Sequence, residues 1–99
     1  MSYKVRYTEA AREDLKRLFT FLAERDLRAA QHARNTIAES IKLLQQFPFT
    51  CRKAIPENPL LREMVISFGS GGYVALFEVE DNNTVTILAV RHQREDDYH

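Results

Sequence analysis

Ninety-nine residues with 44% hydrophobic and 28% charged content supply one core between two layers, with no composition break where a second domain would begin. Fourteen Lys and Arg balance fourteen Asp and Glu, which argues against a function built on gripping many phosphates. Cys51 is the only cysteine, so an internal disulfide and a cysteine-cluster metal site are excluded. The apolar core of a signal peptide is missing, as is any apolar run long enough to span a bilayer. The expectation is a single cytoplasmic domain over residues 1–99.

Tyr3-Lys4-Val5-Arg6-Tyr7 alternates apolar and basic residues with period two, the pattern of a short edge strand with one solvated face. Thr8 is a natural helix N-cap, with Glu9 in the first turn where the helix dipole favours an acid. Ala11, Leu15, Leu18 and Leu22 then form one apolar stripe, predicting a helix over Thr8–Glu24 with Arg12, Glu13, Lys16 and Arg17 outside. Asp26 is placed to cap a second helix, whose stripe is Ala30, Ala33, Ile37, Ile41 and Leu44. Phe47-Pro48 ends it, because the residue before proline is pushed out of the α region. The short link makes these helices an antiparallel hairpin.

Residues 49–59, punctuated by proline, read as irregular. Leu60–Ile66 reads as a strand, Phe68–Gly72 as a glycine-rich turn and Tyr73–Val79 as a strand with two apolar faces. Asp81-Asn82-Asn83 are turn formers joining it to Thr84–Val90, a run so apolar and β-branched that it belongs near the middle of a sheet. The order is β-α-α-β-β-β, an α+β fold in which the helical hairpin covers one face of a mostly antiparallel sheet. Residues 1–44 carry a net charge of +3 and residues 45–99 a net of −3, so the sheet half is the acidic one.

Few segments suggest chemistry. Gly69-Ser70-Gly71-Gly72 lacks the Lys-Ser/Thr ending of a phosphate loop and has no helix after it, so it reads as a hairpin loop. His92 and His99 with Asp96 and Asp97 match no metal-ligand spacing, and no metal or cofactor is expected. His32 falls outside the second stripe and reads as a surface residue. Arg62, Arg91, His92, Arg94 and Tyr98 are the types that RNA cleavage through the 2′-hydroxyl needs, cations for the phosphorane and a His or Tyr to move protons. The other reading pairs Arg62 with Glu63 or an acid across the sheet, and Arg91 and Arg94 with the acids at 95–97.

Several motifs together resemble the RelE/ParE superfamily of toxins, the plasmid stabilisation proteins. They are the opening Tyr3-Lys4-Val5-Arg6-Tyr7-Thr8-Glu9-Ala10-Ala11 with Asp14-Leu15, Leu44 with Phe47-Pro48, Leu61-Arg62-Glu63, Gly72-Tyr73-Val74 and Ile87-Leu88-Ala89-Val90-Arg91-His92-Gln93-Arg94-Glu95. The resemblance implies the toxin of a type II toxin–antitoxin system, neutralised by a cognate antitoxin, and the same β-α-α-β-β-β fold. It leaves two branches open: ParE-like toxins poison DNA gyrase, and RelE-like toxins cleave messenger RNA on the ribosome.

Neutral charge and an acidic sheet half favour the ParE-like branch, in which the chain is a non-catalytic gyrase inhibitor. In the nuclease alternative, Arg62 matches the arginine expected after the helices, Arg91 or Arg94 serves as the second basic residue, and His92 or a C-terminal Tyr98 or His99 moves protons. Gln93 stands where an ungapped reading places the RelE-like arginine. A third reading is a non-toxic member that only binds its antitoxin. Operator DNA is expected to be reached only through the antitoxin, and no membrane is involved. Phe19, Phe21, Leu27 and Phe49 lie outside the stripes and are candidate antitoxin contacts, completion of the core being their other role.

Overall fold

Two helices lie across one face of a five-stranded sheet in the computed structural model, which describes residues 2–95. The strands are β1 (Lys4–Tyr7), β2 (Arg52–Ile55), β3 (Asn58–Phe68), β4 (Gly71–Asp81) and β5 (Thr84–His92), and the helices are α1 (Glu9–Ala23) and α2 (Leu27–Lys42). Single 3-10 turns at Leu43–Gln45 and Pro48–Thr50 bring the chain from α2 down to the sheet. The strand order is β1-β5-β4-β3-β2. β1 runs parallel to β5, and every other pair is antiparallel.

The caps form as the residue types dictate. Thr8 Oγ1 accepts the Ala11 N–H at 3.0 Å and Asp26 Oδ1 accepts the Ala29 N–H at 3.2 Å, each satisfying a donor that its helix leaves open. The second stripe is buried along its whole length, from Ala30 to Leu44. In the first, Ala11 and Leu18 are buried and Leu15 and Leu22 are half-buried against the core. Beneath them lie Tyr73, Ala75, Phe77 and Val79 of β4, Ile66 of β3, and Val85, Ile87 and Val90 of β5. Phe77 has no exposed surface. Truncating such a ring costs roughly 3–5 kcal/mol, so this strand carries much of the stability.

Two sequence expectations change. The stretch at 49–59 is not wholly irregular, because β2 forms there. Arg52-Lys53-Ala54-Ile55 has no strong period of its own; it becomes a strand because β3 extends back to Asn58 and offers a ladder, with Arg52 opposite Glu63 and their side chains paired at 3.0 Å. The run at 84–90 is second from the edge, and β4 is the central strand. Edge strand β1 covers only the first half of β5, from Thr84 to Ile87.

Beyond Ile87 the chain that formed β1 has turned into α1, and β5 needs other partners on that side. The register between β4 and β5 slips at Leu88, since Phe77 faces Ile87 and Leu76 faces Ala89. Thr8 donates its N–H to the Ile87 carbonyl at 3.0 Å and its hydroxyl to the Leu88 carbonyl at 3.1 Å. Asp14, buried on the inner face of α1, accepts the Val90 N–H on Oδ2 at 2.9 Å, with the Arg17 guanidinium 3.8 Å from Oδ1. A buried carboxylate is tolerable only with such partners. Asp14 thus stands in for the missing strand.

Tyr7, Cys51 and Tyr73 pack against the core, and burial pushes each above its ordinary value, 9.0 for the thiol and 10.0 for the phenols. For Cys51 the Thr50 hydrogen bond and the Arg62 charge oppose the rise without cancelling it. The folded state therefore holds these protons more tightly than the unfolded chain does. Their contribution to stability is complete below the ordinary values and is lost as pH rises through the raised ones. Urea midpoints are expected to fall as pH climbs above 9.0 and further above 10.0; a level midpoint through that range would contradict the burial of these groups.

Candidate functional site

Arg62 lies on β3 opposite Phe77, and its side chain is committed to main-chain carbonyls. Nε donates to the Pro59 oxygen at 2.7 Å, and one terminal nitrogen donates to Cys51 at 2.8 Å and to Phe49 at 3.5 Å. Its carbon Cζ also stands 5.1 Å from the centre of the Phe49 ring. One guanidinium thus pins the 3-10 turn, the start of β2 and the start of β3 together. The acid expected to meet it, Glu63, pairs with Arg52 instead.

Arg91 makes a similar clamp at the other end of the sheet, donating to the carbonyls of Glu95 at 2.7 Å, His92 at 3.3 Å and Gln93 at 3.5 Å. That closes the turn after β5. His92 contributes its N–H to Glu95 Oε1 at 3.0 Å, while its Nδ1 accepts the Arg94 N–H at 3.1 Å, which places the proton of the neutral ring on Nε2. The imidazole stands edge-on to Tyr73 at 5.6 Å. Glu95 is also paired with Arg17 of α1 at 3.3 Å, and Arg94 is exposed.

Of the proposed nuclease residues that are described, Arg91, His92 and Arg94 come together and Arg62 stands apart from them. Arg62 is opposite Phe77 and Arg91 opposite Val74. Those β4 positions are an odd number of residues apart, so the two arginines start on opposite faces of the sheet, roughly 10 Å apart along the strands and roughly 10 Å across them. His92 and Arg94 belong to the Arg91 end, and Tyr98 lies outside the described residues. Among the described residues no group of three or more His, Cys, Asp or Glu is arranged to hold a metal, and no helix is long and apolar enough to cross a membrane. His99, Asp96 and Asp97 lie outside the described residues.

What the β5 end does build is a groove of about 740 Å³. One wall is the second half of α1, with Arg17, Leu18, Phe21 and Leu22, and Arg25 in the turn that follows it. Across from it are the β3–β4 turn with Phe68, and then Tyr73, His92, Arg94 and Glu95. Gly69 supports the turn at φ +61°, a conformation side-chain-bearing residues avoid. Phe68 sits edge-on to His32 at 5.3 Å, so that exposed histidine of α2 is seated on the same aromatic edge. Sequence reasoning missed this composite, since its residues are scattered over three segments.

Of the apolar contact candidates, Phe21 (56% exposed), Leu27 (55%) and Phe49 (48%) face solvent. Phe19 is half-buried beneath the Arg34 guanidinium, 5.2 Å from its ring centre. Leu43, Phe47, Ile55 and Leu60 are also exposed, and nothing in their spacing singled them out. Phe49, Ile55 and Leu60 belong to the β2–β3 end that Arg62 organises.

Two helices on a mostly antiparallel sheet in the order β-α-α-β-β-β, with arginines tying its loops, define a small α+β fold. The same fold is found in a solved structure described as "Chromosomal ParDE TA system from P. aeruginosa", at a TM-score of 0.72 and 23% identity, over 96% of this chain and 98% of that one. Residues 5–97 match the family described as ParE toxin of type II toxin-antitoxin system, parDE, and the chain belongs to that family. The comparison with curated proteins finds no match.

Removing the Arg62 clamp has a defined cost. Arg62→Ala leaves three carbonyls without their donor and is expected to lower unfolding free energy by about 1–3 kcal/mol. Arg62→Lys restores only part of it, because a single ammonium does not reproduce the guanidinium fork. Urea denaturation of the three proteins checks this; equal stability would show that the clamp is idle.

Proposed function

We propose that this toxin inhibits growth by binding DNA gyrase and trapping it on cleaved DNA, and that a cognate antitoxin holds it inactive. The observation that carries the choice over RNA cleavage is the use made of Arg62 and Arg91. Arg62 gives Nε and one terminal nitrogen to main-chain carbonyls and Arg91 gives one terminal nitrogen, and the two stand two strands apart on opposite faces of the sheet. A nuclease needs cations and proton carriers converging on one phosphate, with their donors available to it. Net charge of zero argues the same way, since work on ribosomal RNA rewards a basic surface.

The physical role left for the fold is that of a rigid body carrying interaction surfaces. The antitoxin would cover exposed apolar side chains, with Phe21, Leu27 and Phe49 as contacts and Phe19 at the margin of the patch. An antitoxin that also holds operator DNA would recruit this chain to it without direct contact. Gyrase works in the cytoplasm, which is where this reading places the chain.

The deciding assay is supercoiling of relaxed plasmid by purified gyrase in the presence of antitoxin-free toxin. Loss of supercoiling with accumulation of cleaved plasmid is the expected outcome. Undisturbed gyrase at micromolar toxin, together with ribosome-phased cuts in cellular messages after induction, would overturn it in favour of the endoribonuclease. Undisturbed gyrase without such cuts and with normal growth would indicate a member that only binds its antitoxin.

A further inference from the structure

The groove between α1, the β3–β4 turn and the turn after β5 has a chemical character that the chain as a whole lacks. The chain is neutral, yet among the described residues lining the groove Arg17, Arg25 and Arg94 stand against one acid, Glu95. Glu95 is already engaged by Arg17 at 3.3 Å and by the His92 N–H at 3.0 Å. Arg17 is met by both Asp14 and Glu95, and Arg25 and Arg94 complete the basic lining. Arg25 is held in place, its guanidinium 4.2 Å above the exposed Phe21 ring. Below the rim the lining is apolar and aromatic, with Leu18, Leu22, Phe68 and Tyr73.

We propose that this groove receives an acidic segment of the antitoxin, with one bulky apolar side chain seated against Phe68 and Leu22 and flanking carboxylates meeting Arg25 and Arg94. This rests on the antitoxin reading above and adds to it the site and the chemistry of the segment. A groove of about 740 Å³ lies in the range that accommodates a large ligand group. An apolar floor rewards a buried anchor, and a cationic rim gives register and a fast encounter. Nucleic acid fits less well, since a phosphate backbone would leave the aromatic floor unused.

The test is calorimetric titration of the antitoxin encoded beside this gene into three folded toxins: wild type, the double variant Arg25→Glu/Arg94→Glu, and Lys53→Glu on β2 outside the groove. Thermal melts establish that each is folded, and Arg25→Gln/Arg94→Gln replaces the double reversal if that variant does not fold. The groove variant is expected to bind at least about tenfold more weakly and with a flatter salt dependence, and Lys53→Glu within about twofold of wild type. Equal affinity of the groove variant and wild type would overturn the site while leaving the antitoxin reading intact. No binding by the wild type would overturn both. Displacement of a fluorescent DNA duplex from wild-type toxin by the antitoxin, with no duplex binding to the groove variant, would make the groove a nucleic-acid site and also overturn the proposal.

Discussion

The contact on which this architecture rests is the hydrogen bond from the Val90 N–H to the buried Asp14 carboxylate. β1 is only four residues long and leaves the second half of β5 with an open edge. Open edges inside a fold cost the desolvation of every unpaired amide. Here the helix that follows β1 closes the edge with side chains, through Thr8 at Leu88 and Asp14 at Val90. That arrangement fixes the angle of α1 on the sheet. It also places Arg17, one turn beyond Asp14, where it reaches Glu95 in the turn after β5.

From that joint the surface follows. The groove exists because α1 and the end of β5 are held at one separation, and its rim is made of residues from both. At the far end of the sheet Arg62 performs the corresponding task, tying the loop before β2 to β3 and leaving Phe49 beside it in solvent. Arg62 and Arg91 thus both give donors to the protein's own carbonyls. Both regions also carry apolar side chains in solvent, Phe21 near the groove and Phe49 beside Arg62.

Much of this was legible in the residues. Thr8 and Asp26 cap their helices as their side chains suggest, and the stripe from Ala30 to Leu44 is buried. Local periodicity decides such features, and it needs no knowledge of the rest of the chain. Asp14 shows where that reasoning stops. It lies three residues after Ala11 and four before Leu18, in phase with the buried stripe, yet a carboxylate there looks like an interruption until β5 is seen to need an acceptor. β2 escaped for a related reason, because Arg52–Ile55 is a strand only by virtue of the ladder that β3 extends to it. Arg62 was read as a candidate for phosphate or for an acid such as Glu63, but its hydrogen-bond partners are carbonyls, and no sequence pattern marks a carbonyl as available. The groove draws on residues from 17 to 95, so only the fold could assemble it.

Asp14 joins α1 to β5, and the turn at 92–95 that borders the groove depends on this joint. Native-state hydrogen exchange on wild type and Asp14→Ala tests it most directly. The account predicts that the substitution strips protection from the Val90 amide and from the turn at 92–95, while the amides pairing β3 with β4 keep their protection until global unfolding. Unchanged protection at Val90, or a loss spread evenly over the whole sheet, would contradict it.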